Sequence, residues 1–350
     1  MQVVIAQKKI STTAGAALLT LSCLFSTRVS AATFDGIYAF GDSLVDNGNF
    51  YRDSIGYDFG DQPPPFPGPP YPSSPYYEGR FSNGPMWVDD LVPLLGLADN
   101  SLKDYAIGGS TSGYNHSDPR LPPDRFPGLL TQIQDYTTEF PQADPNALYI
   151  IGSGSNDYGD PTALLSNPST IPAKVATTIG NIDSAVTTLV ANGARNILVV
   201  NVPDFGKIPG ATSALPPPVL NFLTGLANTH NTALAASLQD LNSRLDAKIS
   251  LLDLYSLMDG AISNPAQYGL TNVTDGCFNL STNSVCSNPN QYLFWDYQNH
   301  PTAAAGQNIA NLAVVTLDDP PQSVPEPSDT AGILTFAVAG AGYLLKRLRR

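Results

Sequence analysis

Positive charge is scarce in the body of this 350-residue chain, which carries 17 lysines and arginines against 30 acidic residues. Seven of the 17 sit near the ends: Lys8, Lys9 and Arg28, then Lys346, Arg347, Arg349 and Arg350. Residues 32–325 therefore hold ten basic against 28 acidic side chains, a formal charge of −18. A body that acidic repels a phosphate backbone, so no nucleic-acid partner is expected. The acidic surplus reads as a solvated surface. Histidine is also sparse. His116, His230 and His300, taken with three cysteines, show no metal-ligand spacing, so neither a metal nor a cofactor is expected. Repeats and long interior linkers are missing from residues 34–317, which argues for one domain. Apolar residues are not scarce: at 42% they suffice for a packed core.

The apolar ends of the chain read as targeting segments. Residues 1–31 run from Lys8-Lys9 through "AGAALLTLSCLF" to small residues in "RVSAA", the pattern of a secretory signal cleaved near Ala31 or Ala32. Thr20, three before Cys23, stands where a lipoprotein signal carries leucine, so lipidation is not expected. At the other end, residues 331–345 are apolar and are followed by Lys346, Arg347, Arg349 and Arg350. As a helix those fifteen residues span about 22 Å, short of the ~30 Å hydrocarbon core. Their basic flank would stay cytoplasmic. Val324-Pro325-Glu326-Pro327, the apolar run and the Arg-rich end together resemble the PEP-CTERM sorting tail of exported bacterial proteins. That resemblance implies recognition by an exosortase-type enzyme; a plain C-terminal anchor is the other reading. Both place the body at the cell surface or beyond it. The expected division is a signal peptide at 1–31, one domain at 32–322 and a sorting tail with a short transmembrane segment at 323–350. In an oxidising compartment, Cys277 and Cys286, with eight residues between them in "CFNLSTNSVC", most simply close a disulfide loop. Two free buried thiols are the alternative.

Apolar β-type runs recur at 37–40, 147–151, 196–201 and 249–253. Between them lie segments with helical spacing at 85–95, 128–140, 172–192 and 219–247, and 302–317 closes the body. Asn192-Gly193 supplies a helix stop. Short apolar strands alternating with helices predict an α/β domain of three layers, with a mostly parallel central sheet. One segment breaks the alternation. Residues 61–80 hold eight prolines and can be neither helix nor central strand. Its aromatics Phe66, Tyr71, Tyr76 and Tyr77 are expected to pack over the sheet edge, with flanking a pocket as the alternative.

In open parallel sheets, sites form at the carboxyl ends of the strands. The residues just past each apolar run are informative here: Gly41-Asp42-Ser43, Gly108-Gly109-Ser110 after "DYAI", and Ser155-Asn156-Asp157. "FWDYQNHP" precedes the last helix and supplies Asp296 and His300. A nucleophile, hydrogen-bond donors and an acid–histidine pair are the parts of an acyl-transfer site. Phe40-Gly41-Asp42-Ser43-Leu44 with Asp46-Asn47-Gly48-Asn49, then "GRFSNGPMWVDDL", "YAIGGSTS", "GSND" and "FWDYQNHPT" resemble, in order, the blocks of GDSL-type esterases and lipases of the SGNH hydrolase superfamily. The resemblance spans Phe40 to Thr302. It implies the flavodoxin-like SGNH fold and a secreted serine hydrolase cutting small-molecule or lipid esters. Ser43 would be the nucleophile, His300 its base and Asp296 the residue orienting His300. The backbone N–H groups of Ser43 and Gly109 and the side chain of Asn156 would form the oxyanion hole.

The chain departs from that family in one respect. The acid usually stands three residues before the histidine, whereas Asp296 stands four before His300. On a helical turn both offsets share a face; in an irregular loop the extra residue could turn the carboxylate away. No other acid lies between Asp275 and Asp318. Gly109 also fits a plain tight turn and Asn156 a plain strand end. An acyltransferase would use the same residues, and a catalytically inactive cell-surface binding protein would keep the fold without the chemistry.

Overall fold

A computed structural model describes residues 34–59, 70–159 and 161–318. The signal segment 1–31, residues 60–69 with Phe66, and the whole of 323–350 with its apolar run lie outside the described residues. In chain order come β1 (Ile37–Gly41), α1 (Asn49–Ser54), α2 (Trp87–Leu94), β2 (Leu102–Asp104), α3 (Leu129–Glu139) and β3 (Leu148–Gly152). Next are α4 (Pro161–Ser166), α5 (Ile171–Asn192), β4 (Asn196–Val200), α6 (Pro209–Ala214), α7 (Pro217–Arg244), β5 (Lys248–Leu252) and α8 (Leu254–Ser263). The last part holds β6 (Asn272–Gly276), β7 (Phe278–Asn279), β8 (Ser284–Val285), β9 (Tyr292–Phe294) and α9 (Ala303–Asp318).

The first five strands pair in parallel in the order β2-β1-β3-β4-β5. All five residues of β3, Leu-Tyr-Ile-Ile-Gly, are buried. A strand covered on both faces needs such an unbroken apolar run. Helices α3, α5 and α7 cover one face: Ile133, Tyr136, Ile182, Val186 and Leu234 pack on Phe40, Tyr149 and Ile151. On the other face, Val88 and Leu91 of α2 and Ile309, Ala313 and Leu317 of α9 pack on Ile37, Ala39 and Ile150. Five of the buried residues of α5, Val175, Ile179, Ile182, Val186 and Leu189, advance by four, three, four and three, which keeps them on one stripe. Each such fully buried side chain contributes roughly 1.5–3 kcal/mol. The three-layer α/β/α arrangement expected from the sequence is the one the chain forms. Among the described residues no helix is long and apolar enough to cross a membrane.

Several short elements were not expected from the sequence, β2 and α8 among them. Strand β2 is only Leu-Lys-Asp and lies at the sheet edge, where half-exposed polar residues are tolerated. Helix α8 starts one residue after β5, capped by Asp253, whose side chain accepts the Ser256 N–H at 3.0 Å. The strand order is decisive for location. The chain leaves β1 toward β2 and returns across it to β3, so β1 and β3 flank the point where the winding reverses. In such sheets the crevice beyond the strand ends opens there. Ser43 follows β1 and Asn156 follows β3.

Candidate active site

Strand β1 ends on a glycine for steric reasons. Gly41 has φ +143°, and a Cβ there would come within 1.9 Å of the Gly152 carbonyl oxygen at the end of β3. Its backbone N–H and C=O both bond to the buried side chain of Gln132, at 2.8 and 2.9 Å. The chain then turns tightly, with Val45 and Asp46 N–H groups donating to Asp42 C=O, and Ser43 stands half-buried at the turn. The polar run after it is structural. The Asp46 carboxylate accepts the N–H groups of Gly48, Asn49 and Phe50, and that of Gly108 at 2.7 Å. Asn49 donates to the carbonyls of Asp104 and Ala106. The Ser43 turn and the Gly108-Gly109 turn are thus bound into one unit.

Gly109 adopts φ +81°, and an added Cβ would lie 2.2 Å from Nε2 of His116. His116 Nδ1 accepts the Asp118 N–H at 2.9 Å, so Nε2 carries the hydrogen and donates to Gly108 C=O at 2.8 Å. Burial holds the His116 ring below its usual range, hence neutral. The ring is a brace under this turn. Among the described residues, neither the Ser43 N–H nor the Gly109 N–H has an acceptor. The Asn156 amide reaches the same place and donates to Ser110 C=O at 3.0 Å and to Asp42 Oδ2 at a longer 3.3 Å.

His300 and Asp296 come from a loop outside the main sheet. Residues 295–300 are closed by the Trp295 N–H donating to His300 C=O at 2.7 Å, with Phe294 and Pro301 bridged antiparallel behind them. Asn299 takes φ +82°, the left-handed conformation that asparagine tolerates and a tight loop needs. His300 Nδ1 lies 2.6 Å from Asp296 Oδ2, and His300 Nε2 lies 2.8 Å from Ser43 Oγ. Since a carboxylate accepts, Nδ1 carries the hydrogen and Nε2 of the neutral ring faces the serine hydroxyl. Asp296 and His300 are 3% and 4% exposed. Burial alone would raise the Asp296 carboxyl. His300, Tyr76 and the Gln298 N–H outweigh it and hold the group below its usual range.

The structure therefore brings Ser43, His300, Asp296, Gly109 and Asn156 to one place. Cys277 and Cys286 are joined by a disulfide, and the Phe278 N–H beside it donates to Trp295 C=O in the acid's own loop. Among the described residues no cluster suited to a metal ion is present. Of the two placements open for the proline-rich segment, Tyr76 takes the one beside the site: it turns inward and its hydroxyl donates to Asp296 Oδ2 at 2.8 Å. Tyr76 and its neighbour Trp295 form a buried group with Cys277 and Phe278. Nothing local marks Tyr76, since its partner lies 220 residues away. Beside the site runs an apolar cleft lined by Leu44, Leu254, Met258, Leu270, Leu293 and Phe294. Asn299 and Pro301, which flank His300, share its wall.

The family profile described as GDSL-like Lipase/Acylhydrolase matches residues 37–313. The chain belongs to that family. Within it, a phosphatidylcholine-sterol acyltransferase of Aeromonas hydrophila is 30% identical over 256 residues, covering 71% of this chain and 67% of that protein. A GDSL esterase/lipase of Arabidopsis thaliana is 27% identical over 325 residues, covering 80% and 88%. Among solved structures, an extracellular lipase of Streptomyces rimosus aligns with a TM-score of 0.43 at 16% identity, covering 81% of this chain and all of that one.

Proposed function

We propose that this member of the family hydrolyses carboxylic esters through an acyl-enzyme on Ser43. The observation that carries the reading is the continuous run Ser43 Oγ, His300 Nε2, His300 Nδ1, Asp296 Oδ2, with contacts of 2.8 and 2.6 Å. Ser43 Oγ attacks the ester carbonyl while Nε2 takes its proton, and Asp296 stabilises the imidazolium that forms. The negative oxygen of the tetrahedral intermediate accepts from the Ser43 and Gly109 N–H groups, which have no other acceptor among the described residues. The longer Asn156 contact to Asp42 is the one exchanged for a third donation. His300 returns the proton to the leaving alcohol, and a water activated by the same nitrogen releases the acid.

Export across the cytoplasmic membrane is part of this reading, as is processing of the 323–350 tail by an exosortase-type enzyme. The leader-like 1–31 and the Cys277–Cys286 bond support the first, and the tail's order of parts supports the second. The relative named as an acyltransferase makes transfer to a second alcohol the rival outcome of the same acyl-enzyme.

Turnover of p-nitrophenyl acetate and of a longer acyl homologue tests the proposal. Ser43→Ala and His300→Ala each lower kcat by at least about 10³-fold with the fold intact by circular dichroism. Hydrolysis by folded Ser43→Ala at the wild-type rate would overturn it. Added alcohols that divert product from acid to ester would turn the reading to acyl transfer.

A further inference from the structure

The Asp296 carboxylate accepts four donors: His300 Nδ1 and the Tyr76 hydroxyl on Oδ2, at 2.6 and 2.8 Å, and the Gln298 and His300 N–H groups on Oδ1, at 2.8 and 3.4 Å. Three of these donors belong to the acid's own loop and move with it. Among the described residues, only the Tyr76 hydroxyl comes from elsewhere in the chain. The ring is buried and wedged edge-on against Phe278 and Trp295, with centroids 5.4 and 6.1 Å away. Its backbone is pinned through Tyr76 N–H to Ser73 C=O, and the next residue, Tyr77, donates to Ser82 C=O. Ser82 in turn donates its hydroxyl to Pro301 C=O, next to His300.

We propose that Tyr76 is a positioning residue of the site: its hydroxyl fixes Asp296 in the orientation that the four-residue spacing to His300 requires. The loop's own backbone donors, the Gln298 and His300 N–H groups, hold Oδ1 and leave Oδ2, the oxygen that faces the His300 ring, without a backbone donor. An outside donor holds that oxygen in place, and a phenol held by aromatic packing loses little entropy in doing so. The hydroxyl also has an electrostatic effect. By drawing on the charge of Oδ2 it reduces the attraction between the carboxylate and protonated His300. Removing it leaves the full charge of Oδ2 facing the ring, a change in the pair that packing alone would not produce. The titratable groups facing the pair are Tyr71 and Tyr76 from the proline-rich segment and Asp42 beside Ser43.

This inference rests on the reading of Ser43 as nucleophile, and the test separates the two. The full chain, Tyr76→Phe, Asp296→Ala and the double variant are assayed on p-nitrophenyl acetate from pH 5 to 9. Melting curves are recorded beside the assays. Tyr76→Phe keeps the ring and the packing, and kcat falls about tenfold with KM little changed, as expected for losing one hydrogen bond to a charged group. The acid limb of its pH–rate profile moves to higher pH. In the Asp296→Ala background, the same change has less than a twofold further effect. Equal losses in both backgrounds, or a lowered melting temperature with an unmoved pH profile, would overturn the proposal and leave Tyr76 a packing residue. An active Ser43→Ala would instead remove the reading beneath it.

Discussion

The site has two halves built on different principles. Ser43, Gly109 and Asn156 each follow a strand of one parallel sheet, so the register of β2, β1 and β3 sets their relative places. Asp296, His300 and Tyr76 come from irregular chain, and side-chain donors and aromatic packing set theirs. Both halves contain buried carboxylates, and Asp42 of the one and Asp296 of the other behave in opposite ways. Burial pushes Asp42 up to about 7, because its support is one N–H from Leu44 and one long contact from Asn156. Asp296, equally buried, is held below its ordinary range by a histidine and three further donors. Burial alone therefore does not decide charge. Nor does the count of donors, since Asp46 accepts four N–H groups and is still pushed up to about 6, whereas Asp296 is bonded directly to the His300 ring.

Asp296→Asn should break the loop half most severely. The amide can no longer accept firmly from His300 Nδ1, so the ring is free to take the tautomer that offers a hydrogen rather than a lone pair to Ser43. A fall of about 10³–10⁴-fold in kcat is expected, with KM changed far less. A loss under tenfold would mean that a backbone group orients His300 and that the donors around Asp296 are structural only.

Gly109→Ala tests the sheet half. The new methyl meets the His116 ring at 2.2 Å, and φ is +81°, so two faults act together. A loss of about 1–3 kcal/mol in stability is expected, with a fall of about 10- to 100-fold in kcat as one N–H is displaced. Trimming the obstacle with His116→Ala in the same chain should restore part of the activity if the clash dominates. No recovery would assign the loss to φ and to the oxyanion donor itself.

The two halves also differed in how far the sequence revealed them. An apolar run ending in Gly-Asp-Ser marks a strand end without further help, and so does "ALYIIG" before Ser-Asn-Asp. Ser43 and Asn156 could be placed on the same edge of a sheet that no contact had yet shown. Gly109 was legible as a turn glycine, but its reason was not, because His116 is brought against it by a loop that folds back. In the loop half, Asp296 and His300 were legible as a pair, whereas their contact depended on Asn299 adopting a positive φ. Tyr76 was beyond reach. A tyrosine among prolines carries no periodic signal, and a bond across 220 residues is a product of tertiary packing alone.

Asp42→Asn is the gentlest test and concerns the comparison itself. Asp42 titrates from 3.8 when solvated to about 7 in the folded chain. Between those values the folded state binds a proton that the unfolded state has released, so this group lowers stability as pH rises through that window. Asp296 acts in the reverse sense. Its contribution is present above the unfolded value of 3.8 and is lost as pH falls toward its lower folded value. Asn at position 42 keeps an acceptor for the Leu44 N–H and removes the titration. Urea midpoints measured from pH 4 to 8 should therefore decline less steeply for the variant than for the wild type. The difference in slope is at most one proton, about 1.4 kcal/mol per pH unit. Asp46, pushed up to about 6, keeps a residual slope in both proteins. Activity at pH 8 should change less than tenfold, because Asp42 competes for the Asn156 amide rather than touching the ester. Parallel stability curves would show that Asp42 is charged throughout this range, and that the turn after β1 supports its carboxylate as well as the loop supports Asp296.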